Sequence, residues 1–282
     1  MENISFDLNN LRLEISFKTY DELRSILSFC QKNNLYRINI PCKNNLKKEF
    51  LLNSIKLSRE EFPNIDIIPH FSILYEFRRN RVDTQNYLIK FLNVVKSLGY
   101  HQVLLVSGSK KRATLESLSA LNFFKDDPLF LSDNFSLGVA FNPYLPGCKF
   151  EEEIERLTKK LQSGIVKSIW IQFGTDIQLL ESRLEILKNI ILSSPNINNK
   201  ILDITFFGSI LIPSKQFLAR FKYRPWKGVY CSNEFLGSED FAINRVKELL
   251  KTYRHNNICP VIETDTSTEE KLSTLKNIIH NL

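Results

Sequence analysis

Apolar and polar positions along the chain follow two periods. Short runs rich in β-branched and aromatic residues, with alternating side-chain character, are separated by longer stretches whose apolar residues return every three or four positions. The first pattern is that of strands, the second that of amphipathic helices. Strand-like runs stand at residues 11–17, 36–40, 65–72, 102–107, 136–141, 168–173, 202–207 and 260–264. Helical period fills much of the chain between them, for example at 20–32, 85–98, 150–162, 177–192, 239–253 and 268–281. Gly99 and Gly164 punctuate helix ends, and Thr268-Glu269-Glu270 opens the last helix. Strands alternating with helices predict parallel pairing through helical crossovers. An open doubly wound sheet would share that alternation, but no Gly-x-Gly-x-x-Gly loop follows the first run. The expected fold is therefore α/β, a single (β/α)8 TIM barrel over residues 1–282. Residues 223–237, with Pro225, Trp226, Gly228 and Gly237, read as an elaborated loop after the seventh unit. No internal repeat or low-complexity tail is visible.

Side chains of a strand alternate between its faces. In the first run Leu11, Leu13, Ile15 and Phe17 share one face, and Arg12, Glu14 and Ser16 the other. The outside of a barrel meets the helix layer and must be apolar, which sends Glu14 toward the axis. The same parity directs His70 with Ser72, Trp170 with Gln172, and Glu263 with Val261 inward. Charge inside a barrel costs several kcal/mol unless it is partnered or meets a ligand. The ionic face is thus either a functional site or a buried polar network closing the barrel, and both readings stand at this point.

Composition narrows the classes. A hydrophobic content of 43% over 282 residues supports one large core, and no run of about 20 apolar residues provides a membrane-spanning helix. The opening Met1-Glu2-Asn3-Ile4-Ser5-Phe6-Asp7 lacks the basic start and apolar stretch of a secretory signal, so a cytoplasmic location is expected. Cys30, Cys42, Cys148, Cys231 and Cys259 are scattered without paired spacing, which argues for reduced thiols over disulfides or zinc. His101, His255 and His280 suggest no metal cluster, and Trp170 and Trp226 read as packing. The net charge of +7 mixes 38 basic with 31 acidic residues and fits an anionic small ligand as readily as any polymer. Lys110-Lys111-Arg112 follows the fourth strand, where it would attract such an anion or form a solvated loop. Residues 220–227 interleave cations with aromatics, but one such run without a recognised module does not indicate a nucleic-acid partner.

Several segments, in order, resemble the methylenetetrahydrofolate reductase family. Leu13-Glu14-Ile15-Ser16-Phe17 is similar to its first-strand Phe-Glu-Phe-Phe, Ile68-Pro69-His70-Phe71-Ser72 to Pro-His-Leu-Thr, and Leu105-Val106-Ser107-Gly108-Ser109 stands where the family has Leu-Arg-Gly-Asp. Gly138-Val139-Ala140-Phe141-Asn142-Pro143 resembles Gly-Val-Ala-x-Tyr-Pro, Lys160-Leu161-Gln162-Ser163-Gly164 resembles Lys-Val-Asp-Ala-Gly, and Ile171-Gln172-Phe173 resembles Thr-Gln-Phe. Residues 208–221 match the spacing of its Pro-Gly-Ile segment and following helix.

This resemblance implies an FAD-dependent oxidoreductase that reduces a folate-type one-carbon substrate with NAD(P)H. Glu14 would be the general acid that protonates the folate nitrogen and opens the imidazolidine ring, a step favoured by apolar surroundings that keep the carboxyl neutral. Gln172 would hydrogen-bond the pterin or nicotinamide, and Phe221 would stack on either ring. His70, Ser109, Asn142 and Lys160 would fall at cofactor-binding positions, Lys160 toward the pyrophosphate. Ser109 replaces the family's Asp, Ser107 its Arg, and Asn142 its Tyr. The alternative implied by these replacements is a catalytically impaired barrel acting as a binding or scaffolding subunit, as a homo-oligomer or with a partner protein.

Overall fold

The computed structural model describes residues 10–42, 49–107, 117–124, 127–130, 135–193 and 204–280. Eight parallel strands close on themselves in chain order. They are β1 (Arg12–Glu14), β2 (Arg37–Ile40), β3 (Asp66–Ser72), β4 (Gln102–Val106), β5 (Ser136–Phe141), β6 (Val166–Ile171), β7 (Thr205–Ile210) and β8 (Ile258–Ile262). The seam is parallel pairing of β1 with β8, Arg12 opposite Val261 and Leu13 opposite Ile262. The chain is thus a (β/α)8 barrel, as its periodicity predicts. Among the described residues, no helix is long and apolar enough to cross a membrane, and the five cysteines form no disulfide.

The helices are α1 (Tyr20–Lys32), α2 (Phe50–Glu61), α3 (Arg81–Ser97), α4 (Ser117–Phe124), α5 (Cys148–Leu161), α6 (Ile177–Ser193), α7 (Lys215–Tyr223), α8 (Asn233–Gly237), α9 (Glu239–His255) and α10 (Glu269–His280). Side-chain caps start several of them: Thr19 accepts from the Glu22 amide, Asn80 from Asp83, Ser214 from Phe217 and Ser238 from Phe241. Each satisfies one of the amide donors that the first helical turn leaves open. The main core fills the space between strands and helices with residues such as Ile38, Ile40, Phe71, Phe91, Phe141 and Tyr253. A second, smaller cluster of Ile68, Leu104, Trp170, Phe207 and Val261 fills the barrel itself.

Strand boundaries differ from the sequence expectation where packing overrides pattern. After β1 the Ile15 amide still bonds the Asn39 carbonyl, but the chain then leaves the sheet and Phe17 packs on Phe50, ring centres 5.8 Å apart. Strand β7 continues through Gly208, which reads as a strand end by composition. A Cβ there would lie 2.3 Å from the Tyr253 ring, so glycine serves the close approach of α9. The end of the 223–237 stretch is the short helix α8, capped by Ser232 and anchored by buried Phe235 against Phe173.

Candidate active site

The lumen is built in levels, because alternate residues of each strand point inward. At the N-terminal end, Arg12 enters from β1 and is 3% exposed. Its Nε donates to Asn39 Oδ1 at 2.8 Å, one terminal nitrogen to Asp66 Oδ2 at 2.6 Å, and the other to the Ile38 and Asp66 carbonyls at 3.0 and 3.2 Å. Burial pulls the Arg12 pKa down while Asp66 opposes that shift. The closing polar network that the alternation allowed is therefore real, and its members are Arg12, Asn39 and Asp66.

Above it lies the apolar level. Trp170 stacks on Phe207 with ring centres 4.2 Å apart, and its indole N–H donates to Ser168 Oγ at 2.9 Å. Gly138 makes room for it, since a Cβ at that position would lie 2.3 Å from Trp170 Nε1.

The polar mouth sits on this apolar floor, at the C-terminal ends of the strands, where barrel enzymes hold their chemistry. Glu14 reaches it from the end of β1. Its Oε2 stands 3.7 Å from His70 Nδ1 of β3, longer than a hydrogen bond but within ion-pair reach of a protonated imidazole. The His70 ring meets Trp170 edge-on at 5.7 Å. Glu263 directly follows β8 at the same end of the barrel, and its Oε1 accepts a hydrogen bond from Ser209 Oγ. Ser72, two residues beyond His70, is 2% exposed and its Oγ has no hydrogen-bond partner among the described residues. Gln172 follows Trp170 on the inward face and is half-buried; its backbone amide bonds the Phe141 carbonyl. A carboxylate and an imidazole thus meet over an apolar floor, with Ser72, Gln172 and Glu263 at the same ends of their strands, an arrangement suited to moving a proton to or from a bound molecule.

The other expected site residues are placed differently. Asn142 stands at the mouth, but its amide is committed to structure: Nδ2 donates to the Gly228 carbonyl at 2.8 Å and Oδ1 accepts from the Tyr144 amide at 3.0 Å. It ties the loop after β5 to the segment before α8, because a short amide side chain matches two backbone groups there. Lys160 is carried on the last turn of α5, which leads through Gly164 into the N-terminal start of β6. The crossover places its backbone at the end of the helix away from the mouth. Phe221 is 2% exposed and packs at 5.7 Å from both Phe217 and Trp226, so neither face of its ring is open to a ligand in this packing. Ser109 and the cations 110–112 lie outside the described residues.

Some polar groups escaped the sequence reading. Asn39 is fully buried, inward and next to Glu14 in register, and its Nδ2 has no hydrogen-bond partner among the described residues. The alternation Arg37-Ile38-Asn39-Ile40 carried that signal. Glu76, beyond β3, is buried with Arg78 at 3.3 Å and the Cys42 thiol at 3.7 Å; no local pattern marks it, since the contact joins two loops.

No family model matches the chain, and no curated protein does. Among solved structures, a GH18 chitinase from Pseudoalteromonas aurantia is similar at 12% identity and a TM-score of 0.51, covering 96% of this chain and all (100%) of its own. A protein of Aquifex aeolicus VF5 aligns at 12% identity and a TM-score of 0.46 over 87% of this chain and 91% of its own. The chitinase likeness agrees with the class that the closed eight-stranded sheet shows, a TIM barrel, and at such identity it speaks to fold alone. Within that class the chain is a barrel with a mouth bearing Glu14 and His70 at one end and the Arg12 network at the other.

Proposed function

We propose that this chain is an FAD-dependent oxidoreductase resembling methylenetetrahydrofolate reductase, passing hydride from NAD(P)H to a folate-type one-carbon substrate with Glu14 as general acid. The observation that carries the reading is the position of Glu14: inside the barrel, at the C-terminal mouth, with His70 as neighbour. The unsatisfied Ser72 hydroxyl and the inward Gln172 amide fit the polar edge of a flat ring, and with His70 they would hold it. A bound flavin would supply the hydride chemistry.

The chain's own part is acid–base and positional. Glu14 would deliver its proton from Oε2 to a substrate nitrogen, and His70, when protonated, would offset the carboxylate left behind. Trp170, Phe207, Ile68, Leu104 and Val261 exclude water from below, so polar contacts at the mouth act in a weakly screening medium. Glu263, hydrogen-bonded by Ser209, adds a second carboxylate that favours a substrate developing positive charge, as an iminium does.

The test is direct. Purified protein mixed with FAD should retain a flavin spectrum after desalting and oxidise NAD(P)H in the presence of a folate acceptor. Glu14→Gln should keep the flavin and lose about 10²–10⁴-fold in turnover, the span usual for general acid catalysis. An unchanged rate in that variant removes Glu14 from its role, and a colourless protein removes the flavin. A second reading, a binding subunit without turnover, is favoured by the structural engagement of Asn142 and Phe221; it predicts ligand binding with no oxidation of the nicotinamide.

A further inference from the structure

The N-terminal end of the barrel holds a feature that the mouth chemistry does not use. A cavity of about 350 Å³ opens there, lined among others by Arg12, Arg37, Asp66, Gln102, Thr205 and Phe207. Its size falls within the range of small-molecule sites. We infer that it binds a small organic anion, a phosphate or carboxylate head on a compact apolar body.

Charge supports the head group. Two guanidinium groups reach the cavity, and Asp66 is the one carboxylate among its described lining residues. Arg12 already engages Asp66 at 2.6 Å, so the described wall carries two guanidinium charges against one carboxylate. Arg37 is exposed and leans on the Cys259 thiol, so its planar fork can turn toward an oxyanion and bind it bidentately. The Thr205 hydroxyl, exposed on the opposite side, offers a further donor. The apolar body has its own wall in Ile67, Ile68 and Phe207. Mouth and cavity are separate sites, since the Trp170–Phe207 stack and the Arg12 network stand between them.

That stack also supplies a reporter. Phe207 lines the cavity and touches Trp170 face to face, and the chain has 2 tryptophans. In Trp226→Phe, Trp170 is the remaining emitter. Titration of this variant with phenyl phosphate should give a saturable change in fluorescence, matched by calorimetry, and inorganic phosphate should bind more weakly because it lacks the apolar body. Arg37→Ala in the same background should weaken phenyl phosphate about tenfold or more, the loss of a charge-assisted contact, with circular dichroism confirming the fold. Thr205→Val should weaken it less, and Glu14→Gln should leave it unchanged. Absence of saturable binding overturns the inference, as does an affinity indifferent to Arg37 or one that depends on Glu14. Because the readout involves neither flavin nor nicotinamide, its failure is distinct from failure of the proposed reductase.

Discussion

Truncating Arg12 to alanine should destabilise the barrel far more than an ordinary surface charge would. The guanidinium makes four hydrogen bonds, and their acceptors differ in what they lose. The Asp66 carboxyl is 57% exposed and rehydrates readily. Asn39 is fully buried, and the Ile38 carbonyl meets Arg12 in a buried contact. An acceptor stranded in this way costs about 1–3 kcal/mol. Two of them, with the void beside Phe207, bring the expected loss to about 3–5 kcal/mol, the range for breaking a buried ionic network. That is a large share of the roughly 5–15 kcal/mol that holds a typical domain together. Urea denaturation followed by circular dichroism measures it. Arg12→Met keeps most of the volume and should lose less, and Arg12→Met with Asn39→Leu should recover more still, because the stranded Asn39 amide is then gone and the Ile38 carbonyl alone of the two acceptors remains unmet. A loss under about 1 kcal/mol for Arg12→Ala, or a double variant no better than Arg12→Met alone, would refute the reasoning about stranded acceptors.

Two further outcomes follow from single contacts. Gly208→Ala places a methyl 2.3 Å from the Tyr253 ring, which is fully buried and bonded through its hydroxyl to the Ser209 carbonyl; a drop of about 1–3 kcal/mol in stability is expected from overpacking, read as a lower thermal midpoint. The Asp265 carboxylate, which partial burial would push up, is held below its usual range by Lys271 at 2.5 Å and by Ser267. A depressed folded-state value adds stability that is present above the unfolded pKa of about 3.9 and lost as pH falls through the folded one. Asp265→Asn should therefore be less stable than the parent near neutral pH, and the difference should vanish on acidification below that window; a gap independent of pH would contradict the assignment.

Much of the fold was legible because a barrel strand has two faces with opposite demands. Leu13 and Ile15 had to meet helices, so Arg12 and Glu14 had to enter the lumen, and the same parity correctly directed Trp170 and Val261 inward. The start of helix α1 is legible because its cap, Thr19, is adjacent in sequence. The site was legible only as far as strands carry it. Glu14 and His70 meet because both hold inward-facing positions near the C-terminal ends of their strands. Phe221 and Asn142 belong to helix and loop, where a side chain's destination depends on partners such as Trp226 and Gly228 that no periodicity announces. Lys160 matches a motif in order, yet the helix turn it occupies decides its end of the barrel. Gly208 misled for a related reason: its missing side chain serves Tyr253, 45 positions later in the chain.

The seam also constrains how this molecule is made. Strand β1 has three residues and two register pairs with β8, and the Cys259 thiol beside them donates to the Asn10 carbonyl across 249 positions of sequence. During synthesis the first strand, paired on one side with β2, cannot close its other edge until Val261 and Ile262 of β8 have been made. Closure thus joins the two strands most distant in sequence and carries the largest loop entropy of any strand pair, and a chain stopping before β8 would keep seven strands yet have two raw edges open to a neighbouring copy.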